Sequence, residues 1–222
     1  MRMPMKARSI ARLSTLVAAS SLVLSACSSE ITAPPTASLS PTAANLTQTV
    51  RFSPSVAKKL VPSGKTETYV FTINPNVDNT LMMGAHAVTI PASAVCSLAG
   101  SSYGLGTWNT ACTAERLPFT ITATIFGNAD GGRLEFSPAL RFSPTTNVQI
   151  WMYSKKASPS DKAILSILYC PTMDKKSCYD ESLTDASLAV DYNRKDNVVF
   201  RRIKHFSGYV VAEFLGVVPL DL

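Results

Sequence analysis

Alternation of hydrophobic and polar residues is the strongest pattern in this chain. It is clearest at residues 119–125, Phe-Thr-Ile-Thr-Ala-Thr-Ile, in which four apolar residues alternate with three threonines. A period of two is that of a β-strand with one face buried and the other in water. Shorter runs rich in β-branched and aromatic residues predict further strands at 68–73, 87–90, 148–153, 163–169, 187–192, 198–203 and 209–214.

Helix signals are weak by comparison. Only a short turn near residues 93–99 and a faint periodicity at 180–188 have the spacing of a helix. Turn residues separate the strand runs, most clearly Asn128-Ala-Asp-Gly-Gly132, which offers the glycines that a tight hairpin requires. We therefore predict an all-β fold, an antiparallel β-sandwich or β-barrel formed by a single domain over residues 48–222.

Residues 1–26 have the composition of an export signal rather than of a folded segment. Residues 1–12 are basic and residues 13–24 are apolar with many small side chains, which is typical of a signal peptide. Residues 1–26 hold four of the 21 basic residues and no acidic residue, so the net charge of +6 falls to +2 once they are removed. A charge this small argues against nucleic acid as a partner.

The sequence Leu24-Ser-Ala-Cys27 resembles the lipobox of bacterial lipoproteins. The resemblance implies diacylglyceryl transfer to the Cys27 sulfur, cleavage before Cys27, and a membrane anchor of acyl chains such as palmitate. More than one acyl chain anchors a protein durably, whereas a single chain does not. Ser28 rather than aspartate follows the cysteine, which by analogy favours the outer membrane if the cell has two membranes. Residues 27–47, rich in Ser, Thr, Ala and Pro, are then predicted to be a disordered linker. The alternative is an ordinary secreted protein with an incidental thiol at Cys27.

Four cysteines remain after Cys27, and an even number in an exported protein predicts disulfide bonds. Three pairings are open, of which proximity in sequence favours Cys96–Cys112 and Cys170–Cys178. A zinc site is the alternative. It has little support, because the spacings do not match a CxxC knuckle and the chain has only two histidines, His86 and His205. We therefore expect no metal and no other cofactor.

Three stretches, in order, resemble the ZU-five domain, a β-sandwich found in zonula occludens proteins, netrin receptors, ankyrins and bacterial envelope proteins. They are His86-Ala-Val-Thr-Ile-Pro-Ala-Ser-Ala-Val95, then Leu134-Glu-Phe-Ser-Pro138 with residues 148–153, and His205-Phe-Ser-Gly-Tyr209. The resemblance implies the same sandwich fold. The chain departs from the family in two ways: the Gly-Gly that usually precedes the first strand is missing, and the cysteine-bounded insertions at 96–112 and 170–178 are additional. The resemblance therefore implies no particular partner.

In some ZU-five relatives the peptide bond before the serine of His-Phe-Ser cleaves itself, which makes His205, Phe206 and Ser207 candidates for autoproteolysis. The Ser207 hydroxyl would attack the Phe206 carbonyl, His205 would remove the hydroxyl proton, and water would hydrolyse the ester. Ordinary peptides with this tripeptide are stable, so a turn must also align the attack. The alternative, as in the many non-cleaving relatives, is that His205 hydrogen-bonds a strand end while Phe206 and Tyr209 fill the core.

Two aromatic residues, Tyr103 and Trp108, lie in the glycine-rich stretch 101–108 and are candidates for stacking on a glycan. Their rings serve equally well as plugs for a disulfide-bounded loop.

Three weaker constellations also have a structural alternative. Asp174, Asp180, Glu181 and Asp185 are acidic but lack the spacing of a calcium loop. Arg201, Arg202 and Lys204 form a basic stripe beside Phe200, a candidate patch for a phosphate or a glycan, for which an ordinary wet strand edge is the default. Asp191 or Asp196 would complete a Ser-His-Asp hydrolase, but no GxSxG motif is present.

These features together predict a non-enzymatic, lipid-anchored protein of the bacterial cell envelope. It presents a disulfide-stapled β-sandwich for binding or structural interaction, with an envelope protein or a glycan as its partner. No complete catalytic set is visible to favour an enzyme. Autoproteolysis between Phe206 and Ser207 is one alternative, and a glycan-binding domain that uses Trp108 and Tyr103 is another.

Overall fold

In the computed structural model, the alternating runs pair edge to edge as strands. The structure describes residues 60–161, 164–172 and 177–213. Their strands are β1 (Thr66–Ile73), β2 (Asn79–Met83), β3 (His86–Ile90), β4 (Phe119–Phe126), β5 (Arg133–Ser137), β6 (Gln149–Tyr153), β7 (Leu165–Cys170), β8 (Asp191–Asn193), β9 (Val198–Arg202) and β10 (Gly208–Glu213). The helical segments within these ranges are 3-10 turns of three residues each. None of the described helical segments has the length and apolar character needed to cross a membrane.

The strands form two five-stranded sheets. One sheet has the order β1-β4-β5-β10-β7 and the other the order β2-β3-β6-β9-β8. Every pairing is antiparallel. The predicted all-β sandwich is therefore confirmed. Neither β9 nor β10 is an edge strand: β9 lies between β6 and β8, and β10 lies between β5 and β7. The connection between them therefore links non-edge strands of the two sheets.

The alternation in β4 has the predicted consequence. Ile121, Ala123 and Ile125 are fully buried between the sheets, whereas the threonines of β4 face outward. β1 pairs with β4 in a register that sets threonine opposite threonine, at Thr68 with Thr124 and at Thr72 with Thr120. The inner faces of both sheets contribute to one core, which includes Ile73, Leu81, Ile90, Leu134, Ile150, Val199, Phe206 and Tyr209. One buried face and one wet face thus follow directly from the period of two.

The predicted hairpin turn joins β4 to β5. Asn128 Oδ1 accepts hydrogen bonds from the backbone N–H groups of Asp130, Gly131 and Gly132, at 2.8, 2.9 and 2.9 Å. Gly131 has φ +152°, and a Cβ at this position would lie 2.1 Å from the Tyr153 carbonyl oxygen. Only glycine fits here, because any side chain would collide with the backbone of β6.

Two local predictions differ from the structure. Of the predicted strand 187–192, only the end belongs to β8, because Ala186–Leu188 forms a 3-10 turn. The Asp185 side chain accepts a hydrogen bond from the Ser187 N–H and so caps this turn, which competes with strand pairing. β2 was not predicted, since Asn-Thr-Leu-Met-Met has few β-branched residues; its pairing with β3 makes it a strand.

Both predicted disulfide bonds are present. Cys96 pairs with Cys112, and Cys170 pairs with Cys178, with Cα–Cα distances of 5.6 and 4.1 Å. The zinc alternative is therefore wrong for these four cysteines, because their sulfur atoms are bonded to each other. The Cys96–Cys112 bond closes a loop beside the β9–β10 connection, and Cys170 of the second bond also lies beside it.

Candidate functional site

The connection between β9 and β10 contains the distinctive His-Phe-Ser sequence. We call residues 204–207 the closing segment. Its backbone is held by the preceding part of the chain: the Phe206 N–H donates to the Leu140 carbonyl at 2.7 Å, and the Lys204 carbonyl accepts from the Phe142 N–H at 2.8 Å. The Ser207 carbonyl accepts from the Phe136 N–H at 3.0 Å. The closing segment is thus paired along its length although it belongs to no regular strand.

The His205 side chain is fully buried and lies within a chain of polar contacts. Its Nε2 is 2.8 Å from Oε1 of Glu181, and the other Glu181 oxygen accepts from Arg201 Nη2 at 2.7 Å. On the far side of the ring, the Tyr209 hydroxyl lies 3.3 Å from His205 Nδ1 and donates to the His205 carbonyl at 2.6 Å. Arg201, Glu181, His205 and Tyr209 therefore form one buried polar cluster, which we call the Glu181 cluster.

Electrostatics favour a charged carboxylate at the centre of the Glu181 cluster. Burial alone would raise the pKa of Glu181, but the hydrogen bond from His205 and the charges of His205 and Arg201 outweigh it and lower that pKa. Burial also raises the pKa of the Tyr209 hydroxyl well above its usual value, so Tyr209 remains a neutral donor. The Arg201 guanidinium also lies over the Tyr209 ring, 5.6 Å from its centroid.

The loop closed by the Cys96–Cys112 bond folds over the closing segment. We call residues 97–111 the covering loop. The Tyr103 hydroxyl donates to the Phe206 carbonyl at 2.7 Å, and the Trp108 ring packs on the His205 ring with their centroids 4.2 Å apart. The Thr107 carbonyl accepts from Arg141 Nη1 at 2.6 Å. The covering loop therefore shields the Glu181 cluster from water.

The end of β7, which carries Cys170 of the Cys170–Cys178 bond, lies beside the same segment. The Ser207 hydroxyl donates to the Cys170 carbonyl at 3.4 Å. Gly208 pairs with Cys170 so closely that a Cβ on Gly208 would lie 2.8 Å from the Cys170 carbonyl oxygen. The Tyr169 ring contacts the His205 ring, with 4.4 Å between their centroids. Residues 205–208 therefore contact both the covering loop and the end of β7 at Cys170.

The basic stripe is not a wet strand edge. Arg201 and Lys204 are buried, and Arg202 donates to the Pro144 carbonyl. The Lys204 ammonium group contacts Asp185 Oδ2 and Asn109 Oδ1. The hydrogen bond from Lys204, followed by those from Ser187, lowers the pKa of Asp185 to about 2. This arrangement places a carboxylate and a primary amide against the same amine.

The three residues of the candidate autoproteolysis site have three different surroundings. Phe206 stacks on Phe136 with a centroid distance of 4.1 Å and meets the edge of Phe142 in the core. Ser207 directs its hydroxyl at the Cys170 carbonyl. The two ring nitrogens of His205 face Glu181 and Tyr209. Autoproteolysis stays a prediction, in which His205 would have to turn toward Ser207.

The candidate glycan residues lie in the covering loop beside the candidate autoproteolysis residues. Tyr103 is 40% exposed, and its ring meets the Trp108 ring edge-on with 4.8 Å between centroids. Both side chains contact the closing segment, which is the geometry of loop plugs. Glycan stacking on Trp108 and Tyr103 stays a prediction.

The described acidic residues near Cys178 form hydrogen bonds or ion pairs with other side chains and backbone groups of the protein. Asp180 accepts hydrogen bonds from Ser166 and Ser182, Glu181 lies in its cluster, and Asp185 contacts Lys204. Asp174 lies outside the described residues. Within the described ranges, no group of three or more His, Cys, Asp or Glu side chains has an arrangement suited to a metal ion. As for the candidate hydrolase, Asp196 accepts a hydrogen bond from the Asn193 side chain at 2.8 Å.

Sequence reasoning named Glu181 and Arg201 but did not connect either with His205. Glu181 is 24 residues from His205 and 20 residues from Arg201, in a different structural element. No local spacing signals such a contact. The only available signal was the presence of a glutamate and an arginine in a chain poor in charge.

No protein-family model, curated protein or solved structure matches the chain. Fold and site together define a disulfide-stapled antiparallel β-sandwich whose β9–β10 connection is buried under a covering loop. The resemblance to ZU-five domains rests on the three sequence stretches alone.

Proposed function

We propose that this chain is a lipid-anchored lipoprotein of the bacterial cell envelope, which presents its β-sandwich for binding or structural interaction. The observation that carries the proposal is the pairing of cysteines. Cys96, Cys112, Cys170 and Cys178 bond with each other, and the fifth cysteine, Cys27, is the one in the lipobox-like sequence. Disulfide bonds are typical of exported proteins, which agrees with the predicted signal peptide.

The contacts of the Glu181 cluster support binding rather than catalysis. Both oxygens of Glu181 and both ring nitrogens of His205 face partners inside the protein. The His205 side chain has no exposed surface, and the covering loop lies over it. A general base must reach its substrate within hydrogen-bond distance. These groups therefore stabilise the closing segment, and the outer surface of the sandwich is left for a partner.

Lipidation is tested in a two-membrane bacterium that expresses the full chain. We expect the purified protein to begin at Cys27, to carry the mass of the acyl chains, and to enter the detergent phase in a phase-separation assay. Cys27→Ser should lose the acyl mass and remain in the aqueous phase, while it keeps both disulfide bonds. Ser28→Ala is the matched control and should remain anchored. A wild-type protein without acyl mass would overturn the proposal.

The choice of membrane has its own test. Ser28→Asp should move the anchored protein from the outer to the inner membrane fraction, since by analogy with bacterial lipoproteins the residue after the lipidated cysteine governs sorting. The acyl mass should be unchanged by this substitution. Wild type found in the inner membrane fraction would reject the outer-membrane assignment and leave the lipid anchor itself intact.

One observation favours autoproteolysis as a second candidate function. The Tyr103 hydroxyl donates to the Phe206 carbonyl oxygen, which is the oxygen that would become negatively charged if Ser207 attacked this carbonyl. Intact-mass measurement would then give two fragments that separate between Phe206 and Ser207. Ser207→Ala should abolish the cut, and Tyr103→Phe should slow it. A single full-length mature chain in wild type, with the same mass behaviour in Ser207→Ala, would remove this candidate.

A further inference from the structure

Lys204, Asn109 and Asp185 meet although they belong to three different elements. Lys204 follows β9, Asn109 lies in the covering loop 95 residues away, and Asp185 lies between two 3-10 turns. The Lys204 Nζ donates to Asn109 Oδ1 and to Asp185 Oδ2. The Lys204 side chain is only 7% exposed, so its amine is largely removed from water.

Contacts other than those with Lys204 Nζ position each of the three groups. Asp185 Oδ1 accepts from the N–H and the hydroxyl of Ser187, at 3.0 and 2.6 Å, which turns Oδ2 toward the lysine. Trp108 and His205, the sequence neighbours of Asn109 and Lys204, pack against each other with 4.2 Å between their ring centroids. The amine and the amide are therefore brought together by packing that does not depend on their own hydrogen bond.

This geometry matches the requirements of amide exchange. The Asn109 Cγ is one bond, about 1.2 Å, from the oxygen that Lys204 contacts, so the amine lies beside an electrophilic carbon. Orientation of reacting groups at contact distance replaces a costly encounter in solution. A carboxylate at the amine supplies the proton transfers that the exchange needs. We infer that Lys204 and Asn109 form an intramolecular isopeptide bond, with Asp185 as the proton-transfer group.

The proposed step balances without an oxidant or a co-reactant. The Lys204 ammonium group gives one proton to Asp185 Oδ2, and the neutral Nζ attacks Asn109 Cγ. The tetrahedral intermediate moves a proton from Nζ to Nδ2, the Cγ–Nδ2 bond breaks, and ammonia leaves. The Asp185 proton then passes to ammonia. A protonated amine and a primary amide thus become a secondary amide and an ammonium ion.

Each molecule would react only once, because both reacting side chains belong to the protein and are joined in the product. Attack proceeds from the state in which the Lys204 proton has moved to Asp185 Oδ2, the carboxylate oxygen that Lys204 Nζ contacts. Asn109 is exposed, which lets ammonia leave into water. The product would be a third covalent closure, tying the covering loop to the base of β9.

The mass of the mature full chain tests the proposal directly. We expect the reduced and unfolded wild-type protein to be lighter than its sequence by one ammonia, a loss that reduction of the disulfides leaves unchanged. Trypsin does not cleave after an acylated lysine, so the digest should contain residues 66–116 joined to residues 203–222. Asp185→Asn and Lys204→Arg should each restore the full sequence mass.

Asn109→Ala is the variant that keeps the fold, because Asn109 is exposed in the covering loop. It should also show the full sequence mass and no joined peptide. Wild type with the full mass would overturn the proposal. So would a loss of ammonia that persists in Lys204→Arg, because this would indicate a succinimide at Asn109 rather than a bond to the lysine.

Discussion

The hydroxyl of Tyr103 donates a 2.7 Å hydrogen bond to the carbonyl oxygen of Phe206, across 103 residues of sequence. Tyr103 lies in the covering loop, and Phe206 lies in the closing segment between the two sheets. One contact thereby couples a disulfide-closed loop to the interior of the sandwich. The same carbonyl group is the one whose carbon Ser207 would attack in autoproteolysis, which stays a prediction.

Tyr103→Phe should destabilise the domain by about 1 kcal/mol, because it leaves the partly buried Phe206 carbonyl without its donor. Urea unfolding measures the change as a lower midpoint at an unchanged m value. Leu105→Ala in the same loop is the control: Leu105 is 84% exposed, and its loss should change stability by less than about 0.5 kcal/mol. Equal midpoints for the two variants would show that the hydrogen bond contributes nothing.

Glu181→Gln should be far more damaging, at roughly 3–5 kcal/mol, because it leaves the Arg201 charge buried without a counterion. The free energy of unfolding in urea is the measurement. The double variant Glu181→Leu with Arg201→Met should recover most of the loss, since it removes both charges together. If the double variant is less stable than Glu181→Gln, the pair stabilises the fold through more than mutual neutralisation.

The two disulfide bonds should differ in what they contribute. Replacing either pair by serine should cost roughly 2–4 kcal/mol. The Cys96–Cys112 bond spans 16 residues and the Cys170–Cys178 bond spans 8, so the first should contribute about 0.6 kcal/mol more through loop closure. Its loss should also change the fluorescence of Trp108, which packs on His205. An unchanged Trp108 signal in Cys96→Ser/Cys112→Ser would contradict a covering loop held by this bond.

His86 should make the domain sensitive to mild acid. Its Nε2 is 2.9 Å from the Gly131 carbonyl, and its Nδ1 accepts from the Tyr153 N–H at 3.2 Å, which requires a neutral ring with the proton on Nε2. Burial lowers the pKa of His86 from 6.5 to about 4, although the bond to Gly131 opposes this shift. Between these values the unfolded chain binds more protons than the folded one. The contribution of neutral His86 to the free energy of unfolding is therefore fully present above pH 6.5. It should fall by about 3 kcal/mol as the pH drops to 4.

The free energy of unfolding between pH 7.5 and 4 measures this dependence. His86→Gln retains a donor and an acceptor but cannot titrate, so its stability should change less over the same interval. The carboxylates are common to both proteins and act as the internal control. Identical pH profiles for wild type and His86→Gln would assign the acid sensitivity to other groups.

Residue order alone was enough to predict what depends on near neighbours. The period of two in residues 119–125 determines which face of β4 is buried, because apolar side chains leave water and the pleat alternates. The turn at 128–132 follows from an asparagine that accepts three N–H groups and from glycines beside it. The two disulfide pairings join cysteines that are close in sequence. The export signal and lipid anchor also come from local sequence, and they stay predictions.

Tertiary structure alone decided which polar groups meet. Glu181 with His205, Tyr103 with Phe206, and Asn109 with Lys204 are 24, 103 and 95 residues apart, and no periodicity links them. The strand order brings them together by inserting β9 and β10 into the interiors of the sheets. Apolar burial needs only a pattern, since any buried apolar surface is favourable, whereas a hydrogen bond or an ion pair needs one particular partner at one distance and angle.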